Sequence, residues 1–240
     1  MSISRNMRRA AAGVSGFNPQ NDITWHSLFW AEGTAFQSQG YSDTDSVTLW
    51  PNETGESDAT QTTGSPAYNI SNSLYNNKPT VDFSTNGMPT SNFSSAPTYP
   101  ISTIVIANFG STTNYRTLLD GNNSSHRNIF QTSSSGAAYR TYAGIAIEGG
   151  TPNTAPHLFR LGFDGSTSED PLYVDEAKVT MSSTNAGSSQ ITGLTLSYGS
   201  GYNHGGAIAL VGIYQGDITA DTAWPDFTAW VTNHYGITIA

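Results

Sequence analysis

In a chain of 240 residues that has no cysteine, the carboxylates are the first groups to weigh for chemistry. Without thiols, neither a disulfide framework nor thiolate chemistry is available. Hydrolysis of a glycosidic bond needs two carboxyl groups facing one another across a cleft. The densest acidic stretch is Glu169-Asp170-Pro171-Leu172-Tyr173-Val174-Asp175-Glu176. Adjacent residues on a strand point to opposite faces, so Glu169 and Asp170 do not converge. Pro171 marks a loop, and Asp175-Glu176 reads as a tight turn between two short strands. The expectation is therefore a protein that is not an enzyme.

Other chemistries are weaker still. His26, His126, His157, His204 and His234 are scattered, with no His-x-His or His-x-x-x-His spacing for a metal. The serines include no Gly-x-Ser-x-Gly elbow. Asp43-Thr44-Asp45 and Asp120-Gly121-Asn122-Asn123 offer oxygen ligands that calcium accepts, but the same sequences make ordinary turns, and that is the favoured reading. The expected cofactor is none. Sugar recognition uses aromatic surfaces with amides and carboxylates on loops. Asn122, Asn123, Tyr202, Asn203 and His204 are the candidate glycan rim. Trp25, Trp30, Trp50, Trp224 and Trp230 read as core or helix-pinning residues.

Charge supplies the sharpest signal. Arg5, Arg8 and Arg9 are a third of the nine basic residues, and no acid precedes Asp22, which leaves six bases against eighteen acids from Ala10 onward. A basic tip on an acidic body reads as an attachment arm, with Ala10, Ala11 and Ala12 giving a small surface for close packing. The acidic body argues against nucleic acid as a partner. No run approaches the roughly 18 apolar residues of a membrane span.

These groups must be held by strands. Ser27–Ala31, Val47–Trp50, Thr80–Phe83, Leu158–Phe163, Leu172–Val174, Ala177–Met181 and Thr192–Tyr198 are short runs with period-two or β-rich character. Ile101–Phe109 and Ala207–Tyr214 are apolar on both faces, which predicts central strands covered on both sides. Clusters of Gly, Ser, Asn and Asp between the runs predict a sandwich or barrel. Trp224, Phe227, Val231 and Tyr235 fall at helical spacing, with Pro225 in the first turn and Gly236 as the stop. This helix is expected across one end of the sandwich. The domain reading is an arm over 1–20 and one β-sandwich over 21–240.

Several of these stretches resemble a known family. The run Gly205-Gly206-Ala207-Ile208-Ala209-Leu210-Val211-Gly212-Ile213-Tyr214, then Phe227, Trp230-Val231 and His234-Tyr235-Gly236-Ile237, is similar to the end of bacterial and phage laminin-G-like domains. So is Asp58-Ala59-Thr60-Gln61 followed by Asn77-Lys78-Pro79-Thr80-Val81-Asp82-Phe83, with Asn77 where that family commonly has Gly. Leu172-Tyr173-Val174-Asp175-Glu176-Ala177 resembles the family's Leu-Tyr-Val-Asn-Gly hairpin. The resemblance implies the concanavalin A-like lectin/glucanase superfamily: an all-β, two-sheet antiparallel jelly-roll sandwich with a short C-terminal helix and an extended N-terminal arm. The glucanases of that superfamily carry Glu-x-Asp-x-(x)-Glu on one strand, which this chain lacks.

The start, Ile3-Ser4-Arg5 with Met7-Arg8-Arg9-Ala10-Ala11-Ala12-Gly13, resembles the leader of small structural proteins of marine phages. That resemblance implies a virion-surface accessory protein, assembled in the host cytoplasm. The arm would dock it on the major capsid protein or another virion structural protein, and the sandwich would be displayed as a decoration or knob. The alternative is a tail-associated lectin module that recognises host surface carbohydrate. Either arrangement admits a homo-oligomer.

Overall fold

A computed structural model describes residues 16–62, 64, 66–84, 87–165, 170–197 and 204–240. The chain is a two-sheet antiparallel β-sandwich with a short C-terminal helix. The first sheet has the order β14 (Ala177–Lys178), β13 (Leu172–Val174), β12 (His157–Phe163), β7 (Ile101–Ala107), β16 (Ala207–Gln215), β5 (Lys78–Asp82), β4 (Ala67–Asn72). Strand β1 (Ser27–Trp30) pairs with the later part of β16. The second sheet has the order β11 (Ala146–Gly149), β10 (Tyr139–Tyr142), β9 (Ile129–Thr132), β8 (Thr117–Gly121), β15 (Leu194–Leu196), β6 (Met88–Pro89). A small ladder, β2 (Leu49–Trp50) with β3 (Ala59–Thr60), stands beside them.

Strands β7 and β16 are apolar on both faces because each face meets a different core. Val105 and Ala107, with Phe159, Leu161, Ile208, Val211 and Ile213, face the second sheet and pack with Phe130, Tyr139, Leu194 and Leu196. Ile104, Ile106, Leu158, Ala209 and Leu210 face outward, where helix α2 (Trp224–Tyr235) and the N-terminal part of the body cover them. The helix therefore lies over the outer face of the first sheet rather than across an end of the sandwich. Five buried helix residues (Trp224, Phe227, Trp230, Val231, Tyr235) supply the complement, joined by Ile23, Trp25 and Tyr75. Gly236 closes the helix in the left-handed conformation (φ 73°), with its N–H donating to the Thr232 carbonyl.

The body begins earlier than residue 21. Phe17 packs against the Phe227 and Trp230 rings, and Asn18 caps α1 (Pro19–Asp22) by accepting from the Gln20 N–H. Trp25 Nε1 donates to the Pro19 carbonyl at 2.8 Å. Residues 17–20, assigned to the arm by sequence, thus belong to the sandwich. Gly212 makes room for Trp25: a Cβ there would collide with the indole ring.

Two turns place non-glycine residues in the left-handed region. Asn76 and Asn77 both adopt positive φ (54° and 58°), a conformation asparagine tolerates where glycine is absent. At the β13–β14 turn, Asp175 and Glu176 also have positive φ (52° and 66°), the type I′ geometry that Asn-Gly favours. Their side chains offset that strain. Asp175 accepts from the Leu158 N–H at 2.9 Å and pairs with His157 Nδ1 at 2.6 Å. Glu176 makes a two-pronged bond to Arg160 at 2.9 and 3.0 Å, and the Arg160 guanidinium sits 3.6 Å from the Tyr173 ring centroid.

Candidate functional site

Alternation along β8–β11 sends one set of side chains into the core and the other to the open face of the second sheet. Phe130, Tyr139 and Ile147 go inward. The outward set forms rows by register. Thr117 is opposite Gln131, Gln131 is opposite Arg140, and Arg140 is opposite Glu148, so four side chains line up across four strands. Beside them Ile129, Tyr142 and Ala146 form a second row. Thr117, Gln131 and Arg140 of the first row and Ile129 and Tyr142 of the second, together with Tyr115 and Arg127, line an open depression of about 410 Å³.

The polar groups of this face are held by local bonds. Thr117 Oγ1 donates to Gln131 Oε1 at 2.8 Å, which fixes the amide and leaves its nitrogen as a donor. The Arg140 guanidinium lies 5.6 Å from the Tyr115 ring centroid and 3.8 Å from Glu148 Oε1. Arg127 reaches the buried Asp120 through Nε (3.2 Å to each oxygen) and Nη2 (2.5 Å). Asp120 and Glu148 are the only acids on the strands of this sheet, and each faces an arginine. The result is a rigid sheet surface with two tyrosines at its margin and mostly donors in its middle.

The sequence-derived sites distribute differently. Arg5, Arg8, Arg9, Ala10, Ala11, Ala12, Tyr202 and Asn203 lie outside the described residues. Asn122 and Asn123 are brought together on the β8–β9 loop, but their groups are spent there. The Asn122 amide donates to Asn92 Oδ1 and the Thr90 carbonyl, and its oxygen accepts from Asn123 and Thr192. Asn123 Oδ1 accepts from the Ser125 N–H and stands 3.0 Å from His126 Nδ1. These asparagines build the loop and do not line the depression.

His204 is a correction. It is fully buried, packed against Phe83 with ring centroids 5.4 Å apart, so it is no part of a solvent-facing rim. Among the described residues neither ring nitrogen has a hydrogen-bond partner of acceptable geometry. Burial lowers its pKa to about 3, with the Gly206 backbone opposing the shift and the Arg116 charge adding to it.

The acidic candidates prove structural where described. Asp170 is buried and accepts from the Asp164 and Ala186 N–H groups, and burial raises its pKa despite those bonds. Asp43 and Asp45 bind the Ile70 and Ser42 N–H groups as turn-formers. Among the described residues no group of three His, Cys, Asp or Glu side chains could hold a metal ion. No helix there is long and apolar enough to cross a membrane.

Sequence reasoning missed Tyr115, Thr117, Gln131, Arg140 and Tyr142. The available signal was the alternation Tyr139-Arg140-Thr141-Tyr142 opposite Ile129-Phe130-Gln131-Thr132, too short and too polar to stand out as strands.

No protein-family model matches the chain, and no curated protein matches it. Solved structures do. Trypanosoma rangeli sialidase in complex with the inhibitor DANA superposes with a TM-score of 0.53 at 10% identity, covering 85% of this chain and 32% of the sialidase. A mutant of that sialidase displaying trans-sialidase activity gives 0.52 at 11% identity, covering 92% of this chain and 34% of its own. The chain thus spans about a third of the length of these sialidases. Domain 4 of a GH43 extracellular arabinanase from Geobacillus stearothermophilus, in complex with arabinotriose, gives 0.53 at 13% identity and is covered completely, against 81% of this chain. At these identities the likeness is one of fold. The chain is an antiparallel β-sandwich of the kind these structures contain.

Proposed function

We propose that this sandwich is a non-catalytic carbohydrate-binding module that takes its ligand on the open face of the second sheet. The observation that carries the reading is the row Thr117–Gln131–Arg140–Glu148 beside Tyr142 and Tyr115. It sets hydrogen-bonding groups and aromatic edges on rigid strands, as an oriented polar ligand requires. Asp120 is bonded by Arg127 and Glu148 is not among the residues lining the depression, so among the described residues no pair of carboxylates stands across it to protonate a leaving group and attack a sugar. The arabinotriose complex of an arabinanase domain with this fold supports the same reading.

The module is carried, in this proposal, on a virion surface. The support is the segregation of Arg5, Arg8 and Arg9 from an otherwise acidic chain, and the resemblance of that leader to marine phage structural proteins. The arm docks on an acidic or carbonyl-rich surface of the capsid, and the sandwich projects from it. Arginine suits the role because its planar fork bonds two acceptors at once.

Two experiments test these claims separately. Binding of the purified chain to a panel of oligosaccharides should be saturable and should fall when Gln131→Ala and Tyr142→Ala are combined, with no reducing sugar released. Binding that survives the double substitution places the site elsewhere, and released sugar refutes the non-catalytic claim. Deleting residues 2–16 should abolish retention on purified particles while leaving thermal unfolding unchanged. Full occupancy by the truncated chain refutes the docking arm.

A further inference from the structure

The distribution of cations in the body is uneven in a way that the carbohydrate-binding reading alone does not require. After Arg9 the chain has six basic residues: Lys78, Arg116, Arg127, Arg140, Arg160 and Lys178. Arg127 and Arg140 line the depression on the second sheet, and Arg116 lies one residue before β8 of that sheet. Two of the body's six cations therefore line this one depression, on a sheet whose strands carry two acids. The rest of the body has four cations against sixteen acids.

Arg140 is also under-employed. Arg160 makes two bonds to Glu176, and Arg127 makes three contacts to Asp120. Arg140 has one ion pair at 3.8 Å, beyond hydrogen-bond length, and its Nε has no partner. Its neighbour Gln131 has its oxygen taken by Thr117, so the amide nitrogen is the group left to bond. The depression thus presents two donor groups with bonding capacity to spare, the Arg140 guanidinium and the Gln131 amide nitrogen.

We propose that the ligand of this face is an anionic saccharide, one bearing carboxylate or sulfate groups, bound through the Arg140 guanidinium and the Gln131 amide. Arg127, held by Asp120, supplies a second positive charge at the edge. The proposal rests on the carbohydrate-binding reading and names the chemical class that the reading leaves open. Planar guanidinium forks match carboxylate and sulfate oxygens, and a charge-assisted bond is about twice as strong as a neutral one. The acidic remainder of the body would repel such a polymer elsewhere, which would confine it to this sheet.

The test is calorimetric titration with oligosaccharides of chondroitin sulfate, their chemically desulfated and carboxyl-reduced derivatives, and a neutral series of cello- and galacto-oligosaccharides. The expected result is a Kd for chondroitin sulfate at least about tenfold below that of any neutral sugar, rising with salt. Arg140→Gln should erase that preference, and Arg140→Lys should keep part of it. Retained binding by the desulfated derivative assigns the carboxylate as the recognised group, and retained binding by the carboxyl-reduced one assigns the sulfate. Arg140→Gln should fold, since the side chain's one ion pair is long and partly exposed; the salt dependence of the unmodified chain tests the claim independently. Equal affinity for neutral and anionic sugars overturns the anionic assignment and leaves carbohydrate binding standing. No binding to any sugar overturns both.

Discussion

His204 makes the stability of this protein depend on pH in a calculable way. The imidazole is fully buried, has no partner of acceptable geometry for either nitrogen among the described residues, and has its pKa lowered to about 3 from an ordinary value of 6.5. The unfolded chain therefore takes up a proton near pH 6.5, while the folded chain resists until near pH 3. Stability associated with the neutral ring is complete above about pH 6.5 and is lost as pH falls from there toward 3. Each unit is worth about 1.4 kcal/mol, so lowering the pH from 7 to 5 costs roughly 2 kcal/mol from this one residue. The assay is urea unfolding of the unmodified chain and of His204→Leu at both pH values. The loss between pH 7 and 5 should be about 2 kcal/mol smaller in the variant, because carboxylate contributions are common to both. Leucine also removes two orphaned nitrogens, so the variant should be no less stable at pH 7. The same pH dependence in both proteins would refute the reasoning and require a hydrogen-bonded or solvated imidazole.

Other substitutions probe the frame. Asp170→Ala strands the Asp164 and Ala186 N–H groups and should lower the unfolding free energy by about 2–3 kcal/mol in denaturant titrations. Glu176→Gly relieves a left-handed residue but leaves the buried Arg160 unpaired, so it should destabilise by about 1–3 kcal/mol by the same measurement, against the gain a glycine gives in an ordinary turn. Trp230→Ala removes the ring that Phe17, Trp30 and Phe227 pack against and should cost about 3–5 kcal/mol, visible as a lowered thermal midpoint.

The first sheet was legible in the sequence because burial on both sides leaves a mark that survives any context. Ile101–Ala107 and Ala207–Gln215 have no polar face to lose. What the pattern did not reveal was which surfaces cover them, since an apolar face is satisfied by a sheet or by a helix alike. The Trp-rich helix lies on the outer face, where with Trp25 and Tyr75 it buries Ile104, Ile106 and Leu158. The second sheet was nearly invisible. Its strands β9, β10 and β11 are four residues each, with Gln131, Arg140, Tyr142 and Glu148 at outward positions, so each alternation is too short to stand out from the polar turns around it. Those outward residues form the candidate site. Asn122 and Asn123 were the more conspicuous polar pair, yet loop geometry consumes their hydrogen bonds, and His204 shows that a histidine beside glycines can be core.

The central claim is that the open face of β8–β10 binds carbohydrate, and amide chemical-shift mapping of the isotope-labelled chain tests it most directly. On titration with a chondroitin sulfate oligosaccharide, saturable shifts should concentrate at Thr117, Gln131, Arg140 and Tyr142 and leave helix α2 unmoved. Shifts centred on the helix face, or none with either anionic or neutral sugars, would contradict it.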